Sequence, residues 1–259
     1  MNAAISANAF TVRLRFHGDL SFFLRSSQTQ TQLIEKRLGE KTAVKDAIES
    51  CGVPHTEIDL IVANEAPVDF TYQLLTDEEI DVFPVPASRD LFPASRLQHR
   101  SLRRFVADCH LGKLTRNLRL LGIDVLYDNL ATDAQLLMTA TTDDRALLTR
   151  DRRLLMHTVV RHGYCPRSHD PDEQIIEVVR RFDLAELIAP YTRCLQCNGL
   201  LERVDKADVF EQLEPLTKIY YDEFRRCLDC GKIYWPGSHF GKLQQRVARI
   251  RSDPFGRGS

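Results

Sequence analysis

Two Cys-x-x-Cys pairs, Cys194/Cys197 in "RCLQCNG" and Cys227/Cys230 in "RRCLDCG", stand 29 residues apart. A turn of this kind points two thiolates at one ion and directs backbone amides at the sulfurs. Two such turns build a tetrahedral four-sulfur site of the type zinc prefers. Gly199 and Gly231 fall just after the pairs, where tight turns need them. Rubredoxin-like iron and a redox dithiol are the other readings of four such cysteines. Four thiolates leave no position open to water or substrate, so the expectation is structural zinc and not catalysis. A piece of roughly 50 residues buries little core, and metal binding worth about 10–16 kcal/mol substitutes for it.

Chemistry is expected upstream, at carboxylates. Asp108 follows the apolar run "FVA" and precedes "LG", a place where packing gives no reason for an acid. Asp151 ends "ALLTRD", with an ion pair to the basic residues after it as the alternative. Asp133 follows Thr132, where preference for a helix N-terminus and a metal role weigh equally. In an open parallel α/β sheet, ligands bind at the carboxyl ends of the strands. Carboxylates gathered there repel one another and favour a hard divalent cation, Mg²⁺ or Mn²⁺, able to orient water against a phosphodiester. Thr149 is placed to orient a carboxylate or bind a phosphate. Asp170 is most simply a helix cap, Asp124 and Asp128 flank a strand and are expected to be solvated, and Asp143 and Asp144 read as loop. Lys113, Arg116, Arg119, Arg150 and Arg152 lie near this edge and are candidates for holding phosphates. Tyr234 and Trp235 either stack on bases or pack the ribbon. His110 and His239 read as plain polar contacts.

The elements that must position these groups fall into three pieces. In residues 1–87, "FTVRLRF" alternates as a half-buried strand does. "TAVKDAIESCG" is a helix with Thr42 as cap and Gly52 as stop, and "EIDLIVANEAPV" and "IDVFPVP" are further strands. That order predicts a small β-grasp, ubiquitin-like module. Residues 88–101 are polar, contain Pro93 and read as a linker. In residues 102–188 strand and helix signals alternate. "RFVADC", "IDVLYD", "RALLTRD" and "YCPRS" are predicted strands, and "LGKLTRNLRLLG", "TDAQLLMTATTDD", "RRLLMHTVVRHG" and "DPDEQIIEVVRRFDL" predicted helices. The last has Asp170 as cap, Pro171 in the first turn and Glu173 to complete a capping box. Alternation predicts a mainly parallel sheet. Residues 189–241 hold the cysteine pairs, and 242–259 form a basic tail.

Bulk properties set outer limits. Hydrophobic residues make up 43% and charged residues 27% of the 259, ordinary for a globular protein. No apolar run approaches the roughly 20 residues of a membrane span, and no basic region precedes an apolar core at the N-terminus. The expectation is a cytoplasmic protein without a membrane role. Net charge is −1, but the first hundred residues carry 10 Lys+Arg against 14 Asp+Glu and the remainder 25 against 22. The basic side suits a polyanion, and a solvated helix face is its ordinary alternative. Seven cysteines, an odd number, argue against a disulfide framework.

Taken together, "FVADCHLGKLTRNLRLLGIDVLYD", "ALLTRDRRLL", "DPDEQIIEVV", "RCLQCNGLL" and "CGKIYWPGSHF" resemble the Mut-seven carboxy-terminal (Mut7-C) RNase family. The front piece, with "CGVPHTEIDLIVANEAPVDF" and "IDVFPV", resembles the ubiquitin-like domain that precedes it in bacterial members. The resemblance implies a PIN-like nuclease domain joined to a zinc ribbon. It also implies Mg²⁺- or Mn²⁺-dependent hydrolysis of RNA, with Asp108, Asp133 and Asp151 as the catalytic acids. A fourth acid is usual after the last strand of PIN domains. Here Ser168 stands at that point with Asp170 beyond it, and Cys109-His110 precede "LG" where a small or polar residue and Met are expected. The front domain ends in "FPVPAS" and not in a Gly-Gly tail, so the resemblance implies guidance of substrate or of a protein partner, not conjugation. A non-catalytic RNA- or ribosome-binding adaptor is the second reading, favoured by Ser168. A receiver-like phosphoacceptor role for Asp108 is a third; it lacks the acidic pair and the late Lys.

Overall fold

The computed structural model describes residues 9–24, 32–86, 91–98 and 102–236. His239 and the basic tail 242–259 lie outside the described residues. By contact the chain divides into two compact units that do not follow chain order. One comprises Met1–Arg100 and Thr149–Arg167, the other Ser101–Leu148 and Ser168–Ser259.

The first unit begins with β1 (Phe10–Phe16), β2 (Leu33–Leu38), β3 (Thr42–Ala43), α1 (Val44–Glu49), β4 (Ile58–Ala63), β5 (Ala66–Val68), β6 (Gln73–Leu74) and β7 (Glu78–Pro84). Five strands form one sheet in the order β2-β1-β7-β4-β5. Its central pair β1–β7 is parallel and the others antiparallel, the mixed arrangement of a β-grasp. Alternation in β1 works as read: Val12, Leu14 and Phe16 are buried while Arg13 and Arg15 face out. β4 is buried along its whole length, which fits its apolar residues Ile58, Leu60, Ile61, Val62 and Ala63; its one charged residue, Asp59, is buried as well and is paired with Arg96. Gly52 stops α1 in the left-handed region at φ +95°. Thr42 does not cap that helix. It pairs with Leu74 in the β3–β6 ladder, its hydroxyl donates to the Glu40 carbonyl, and Ala43 takes the cap position. Residues 91–98, the described part of the stretch read as linker, bond to this unit: the Leu97 amide donates to the Asp59 carbonyl and Arg96 pairs with Asp59.

The second unit takes up the chain at β8 (Arg104–Ala107), α2 (Gly112–Leu120), β9 (Asp124–Tyr127), α3 (Asp133–Thr142) and β10 (Ala146–Leu148). β8 pairs in parallel with β10 on one side and β9 on the other. The chain then enters the first unit with α4 (Arg152–Leu155) and β11 (Gly163–Tyr164), and returns with α5 (Pro171–Arg181). "YCPRS" is strand only as far as Tyr164, and "RRLLMHTVVRHG" contributes a single helical turn. α3 starts with a full capping box between Thr132 and Gln135, and the Asp170 carboxylate accepts from the amides of Asp172 and Glu173 at α5. Leu114 and Leu118 of α2 and Ile175 and Val178 of α5 supply the core over the sheet, with Phe105 and Phe182 meeting edge to face at 4.9 Å.

The ribbon follows: β12 (Leu201–Val204), α6 (Lys206–Val209), α7 (Pro215–Tyr220), β13 (Phe224–Cys227) and β14 (Ile233–Tyr234). Its antiparallel strands run β12-β13-β14, with Val209, Leu213 and Phe224 as a small core of their own.

Gly122 links α2 to β9 and packs against the chain entering the ribbon. It sits at φ +86°, and a Cβ there would come within 2.2 Å of the Ala189 carbonyl oxygen. Gly122→Ala is therefore expected to cost on the order of 2–3 kcal/mol, read as a lowered urea midpoint with unchanged m-value. A midpoint equal to wild type would contradict this placement.

Candidate metal centre and acidic site

The two cysteine turns are built alike. The Cys194 amide donates to Gly199 O at 2.7 Å and the Cys227 amide to Lys232 O at 2.9 Å. The amides of Cys197 and Cys230 each approach the sulfur three residues back at 3.5 Å. All four Sγ atoms lie within 4.8 Å of one another. A Cβ on Gly199 would fall 3.0 Å from the Cys227 sulfur, so the backbone is cut away where the sulfurs converge. Four sulfurs, aimed amides and a closed shell fit one tetrahedral ion and no substrate. In one respect the turns differ from the sequence reading. The left-handed residue of the second turn is Gly231, but its counterpart in the first is Asn198, at φ +72°, and not Gly199.

Asn198 is one of the ribbon residues that reach the sheet. Its side-chain oxygen accepts from the Val125 amide at 3.1 Å, and its Nδ2 donates to Asp124 at 2.8 Å. The Val125 carbonyl accepts from Arg119 Nε at 2.9 Å, and the same guanidinium reaches the carbonyls of Leu195 and Gln196 through Nη1. Arg119 is only 3% exposed. Its assignment to RNA phosphates is thereby corrected: it faces inward and ties α2, β9 and the first cysteine turn together. Asp124 is likewise not solvated. Arg145 at 2.7 Å and Arg193 at 3.2 Å pair with it. Tyr234 and Trp235 also belong to the ribbon: the Tyr234 hydroxyl lies 3.1 Å from Cys194 Sγ and accepts from the Leu195 amide, and Trp235 packs on the Val209–Leu213–Phe224 core.

Asp108 lies directly beyond β8, where a parallel sheet presents its ligands. It is 8% exposed, and its amide donates to Leu148 O at 2.9 Å. Its carboxylate, the Cys109 thiol and the His110 ring offer ligand atoms within 4.8 Å of one another. The Asp108 hydrogen bond, with burial and the Asp108 charge, raises the Cys109 thiol's pKa. Tyr127 fixes the turn by donating to Cys109 O at 2.9 Å, and its hydroxyl fills the place a Cβ on Gly112 would take. Asp133 belongs to the same unit but not to this group. It is exposed at the first position of α3. Asp151 is in the first unit, exposed, and caps α4 by accepting from the Arg153 and Leu154 amides at 2.8 and 3.3 Å. Thr149 Oγ1 accepts from the Asp151 amide. Ser168 is occupied at the start of α5: its amide donates to Glu177, its carbonyl accepts from Gln174, and its hydroxyl accepts from the Asp170 amide.

Among the predicted bases, Lys113 and Arg116 are exposed one turn apart on α2. With Asn117, Asp170, Pro171 and Asp172 they line an open cleft of about 390 Å³. Arg150 is half-buried. Arg152 is engaged within the first unit, where Nη1 donates to Phe23 O at 2.9 Å and Nη2 to Phe22 O at 3.2 Å.

Burial opposes ionisation of Asp124, yet hydrogen bonds from Arg145 and Asn198, then the Arg145 and Arg193 charges, hold its carboxyl below the usual carboxylate range. The stabilisation is complete above the unfolded pKa of about 3.9 and is lost as pH falls through the lower folded value. Asp124→Asn is expected to lower stability at pH 7 by on the order of 3 kcal/mol. The gap to wild type should narrow in denaturant titrations as pH falls below about 3.9, the ordinary Asp value. A gap independent of pH would contradict the assignment.

Comparison with known proteins agrees with this architecture. The profile described as Mut7-C RNAse domain matches residues 103–247, more than half of the chain, and that described as Mut7-C ubiquitin matches residues 9–90. No curated protein and no solved structure matches. Within the described residues no helix is long and apolar enough to cross a membrane. The β-grasp sheet falls within the span of the second profile, and the parallel α/β sheet and four-cysteine ribbon within that of the first: the chain belongs to the Mut7-C RNAse domain family.

Proposed function

We propose that the protein is a metal-dependent ribonuclease that hydrolyses RNA phosphodiesters, with Asp108 as its principal metal-binding acid. The observation that carries the reading is the Asp108 carboxylate at the end of β8, nearly buried and grouped with Cys109 and His110. Asp133 and Asp151 enter as further catalytic acids through the family resemblance. A divalent cation held there would neutralise charge on the phosphate and make water more acidic. Of this group the Asp108 carboxylate is the ligand that suits Mg²⁺ or Mn²⁺; a thiol and an imidazole suit softer ions, so the cation would take its remaining ligands from water and phosphate. The chain's own groups do the rest. Asp108 keeps its place through the Leu148 backbone bond, Tyr127 fixes the turn, and Lys113 and Arg116 offer exposed charges one turn apart for phosphates. The RNA strand is the substrate, and the ubiquitin-like domain is the surface for a protein partner. The four cysteines hold structural zinc.

A non-catalytic RNA- or ribosome-binding adaptor is the second reading, favoured by one observation: Asp133 is exposed and stands outside the Asp108 group.

With labelled RNA, wild-type protein should cleave in Mg²⁺ or Mn²⁺, and Asp108→Asn should lose about 10²–10³-fold in kcat while still binding RNA. Equal cleavage by both proteins would remove Asp108 from the chemistry. No cleavage, with RNA affinity that falls steeply with salt, would select the adaptor. Stripping zinc with a strong chelator should unfold the ribbon, seen as lost amide protection across residues 194–234. Protection unchanged in metal-free protein would rule out a structural ion.

A further inference from the structure

The stretch Thr149–Arg167 belongs to the family's nuclease region by sequence and to the first unit by contact. Its one helix, α4, is four residues long, too short to hold its own orientation. Asp151 caps that helix, so whatever fixes α4 fixes the Asp151 carboxylate.

Three attachments do so, all to β-grasp residues. At the front, Arg152 spans the carbonyls of Phe22 and Phe23 and lies over both rings, 5.2 and 5.1 Å from their centres. In the middle, the Val160 carbonyl meets His55 Nε2 at 2.7 Å, while Nδ1 of the same ring meets Glu49 at 2.6 Å. At the rear, Arg167 pairs with Glu57 at 2.9 Å and Asp19 at 3.1 Å and lies 4.6 Å from the Phe23 ring centre. Glu57 is 2% exposed and also accepts from the Cys165 amide at 2.7 Å. A buried ion pair contributes little net stability, because desolvation offsets its attraction; what it does supply is a unique geometry. An adaptor domain that merely recruits a partner has no use for a carboxylate buried under the nuclease's own segment.

We propose that the β-grasp domain is the positioning frame of the nuclease, and that Arg152, Phe22, Phe23, Glu57 and Arg167 are positioning residues that set Asp151 through α4. This rests on the reading of Asp151 as a nuclease acid. Arg152, by sequence a phosphate ligand, here acts through Asp151 and not on RNA.

The experiment compares Mn²⁺-dependent RNA cleavage by the full chain and its variants Asp151→Asn, Arg152→Ala, Arg152→Lys and Phe22→Ala, with hydrogen exchange of amides 149–167 on each. Positioning predicts that both Arg152 variants and Phe22→Ala lose about 10–100-fold in kcat with KM unchanged, and that exchange in 149–167 quickens. Lys cannot form the two-carbonyl fork, so it should not rescue. A phosphate contact predicts the reverse: Arg152→Ala raises KM, Lys restores it, and Phe22→Ala is without effect. That pattern overturns the proposal alone. Uncut RNA with wild-type protein, or Asp151→Asn cleaving as fast as wild type, overturns the reading of Asp151 and the proposal with it.

Discussion

The second unit depends on one edge being closed. β9 borders the parallel sheet, and the outward amide and carbonyl of its Val125 would be left without partners. Asn198 takes the amide and Arg119 the carbonyl. Asn198 can do so because the cysteine turn holds it in the left-handed region, where Asn is tolerated and most side chains are strained. Arg119 can do so because the same turn offers it the Leu195 and Gln196 carbonyls. The ion that the four sulfurs are built for is thus coupled to the sheet by a chain of hydrogen bonds. β8 lies beside β9 in that sheet and ends at Asp108. The ribbon is a clasp on the sheet that carries Asp108.

Buried charge recurs in both units and serves the same purpose in each. Asp124 is paired with Arg145 and Arg193, and Glu57 with Arg167. Apolar residues of equal volume would hold these places with similar stability, since desolvation consumes most of the electrostatic gain. They would not specify one register between β9 and the ribbon, or one placement of the Thr149–Arg167 stretch. The geometry needed by a carboxylate site is strict to fractions of an ångström, and fixed-direction pairs supply it where greasy contacts slide.

Much of this was legible in the sequence because local rules governed it. Alternation placed β1, Thr132 and Asp170 capped their helices, and the cysteine spacing gave the ribbon. The failures share a cause: they concern residues whose partners are far along the chain. Asp124 looked solvated, but Arg145, Arg193 and Asn198 lie 21 to 74 residues away. Arg119 looked like one of several surface bases in a helix, although its spacing from Leu118 sets it beside the buried face. Thr42 looked like a cap, and a two-residue ladder with Leu74 claimed it. One signal does lie in the sequence: where "CLDCG" has Gly231, "CLQCN" has Asn198, a residue that tolerates the same backbone and adds a side chain able to bond. Nothing local announced Glu57 or Phe22 as partners of Arg167 and Arg152, which lie more than a hundred residues on.

The proposed function calls for two kinds of metal site in one protein, a sulfur site that holds the sheet and an acidic site at Asp108. Crystals soaked in Mn²⁺ and measured at the zinc and manganese absorption edges separate them. The account predicts a zinc signal at the centre of Cys194, Cys197, Cys227 and Cys230, and a manganese signal bonded to the Asp108 carboxylate. Manganese absent from Asp108 while zinc fills the ribbon would contradict the catalytic assignment, and cysteines without an ion in a folded ribbon would contradict the clasp.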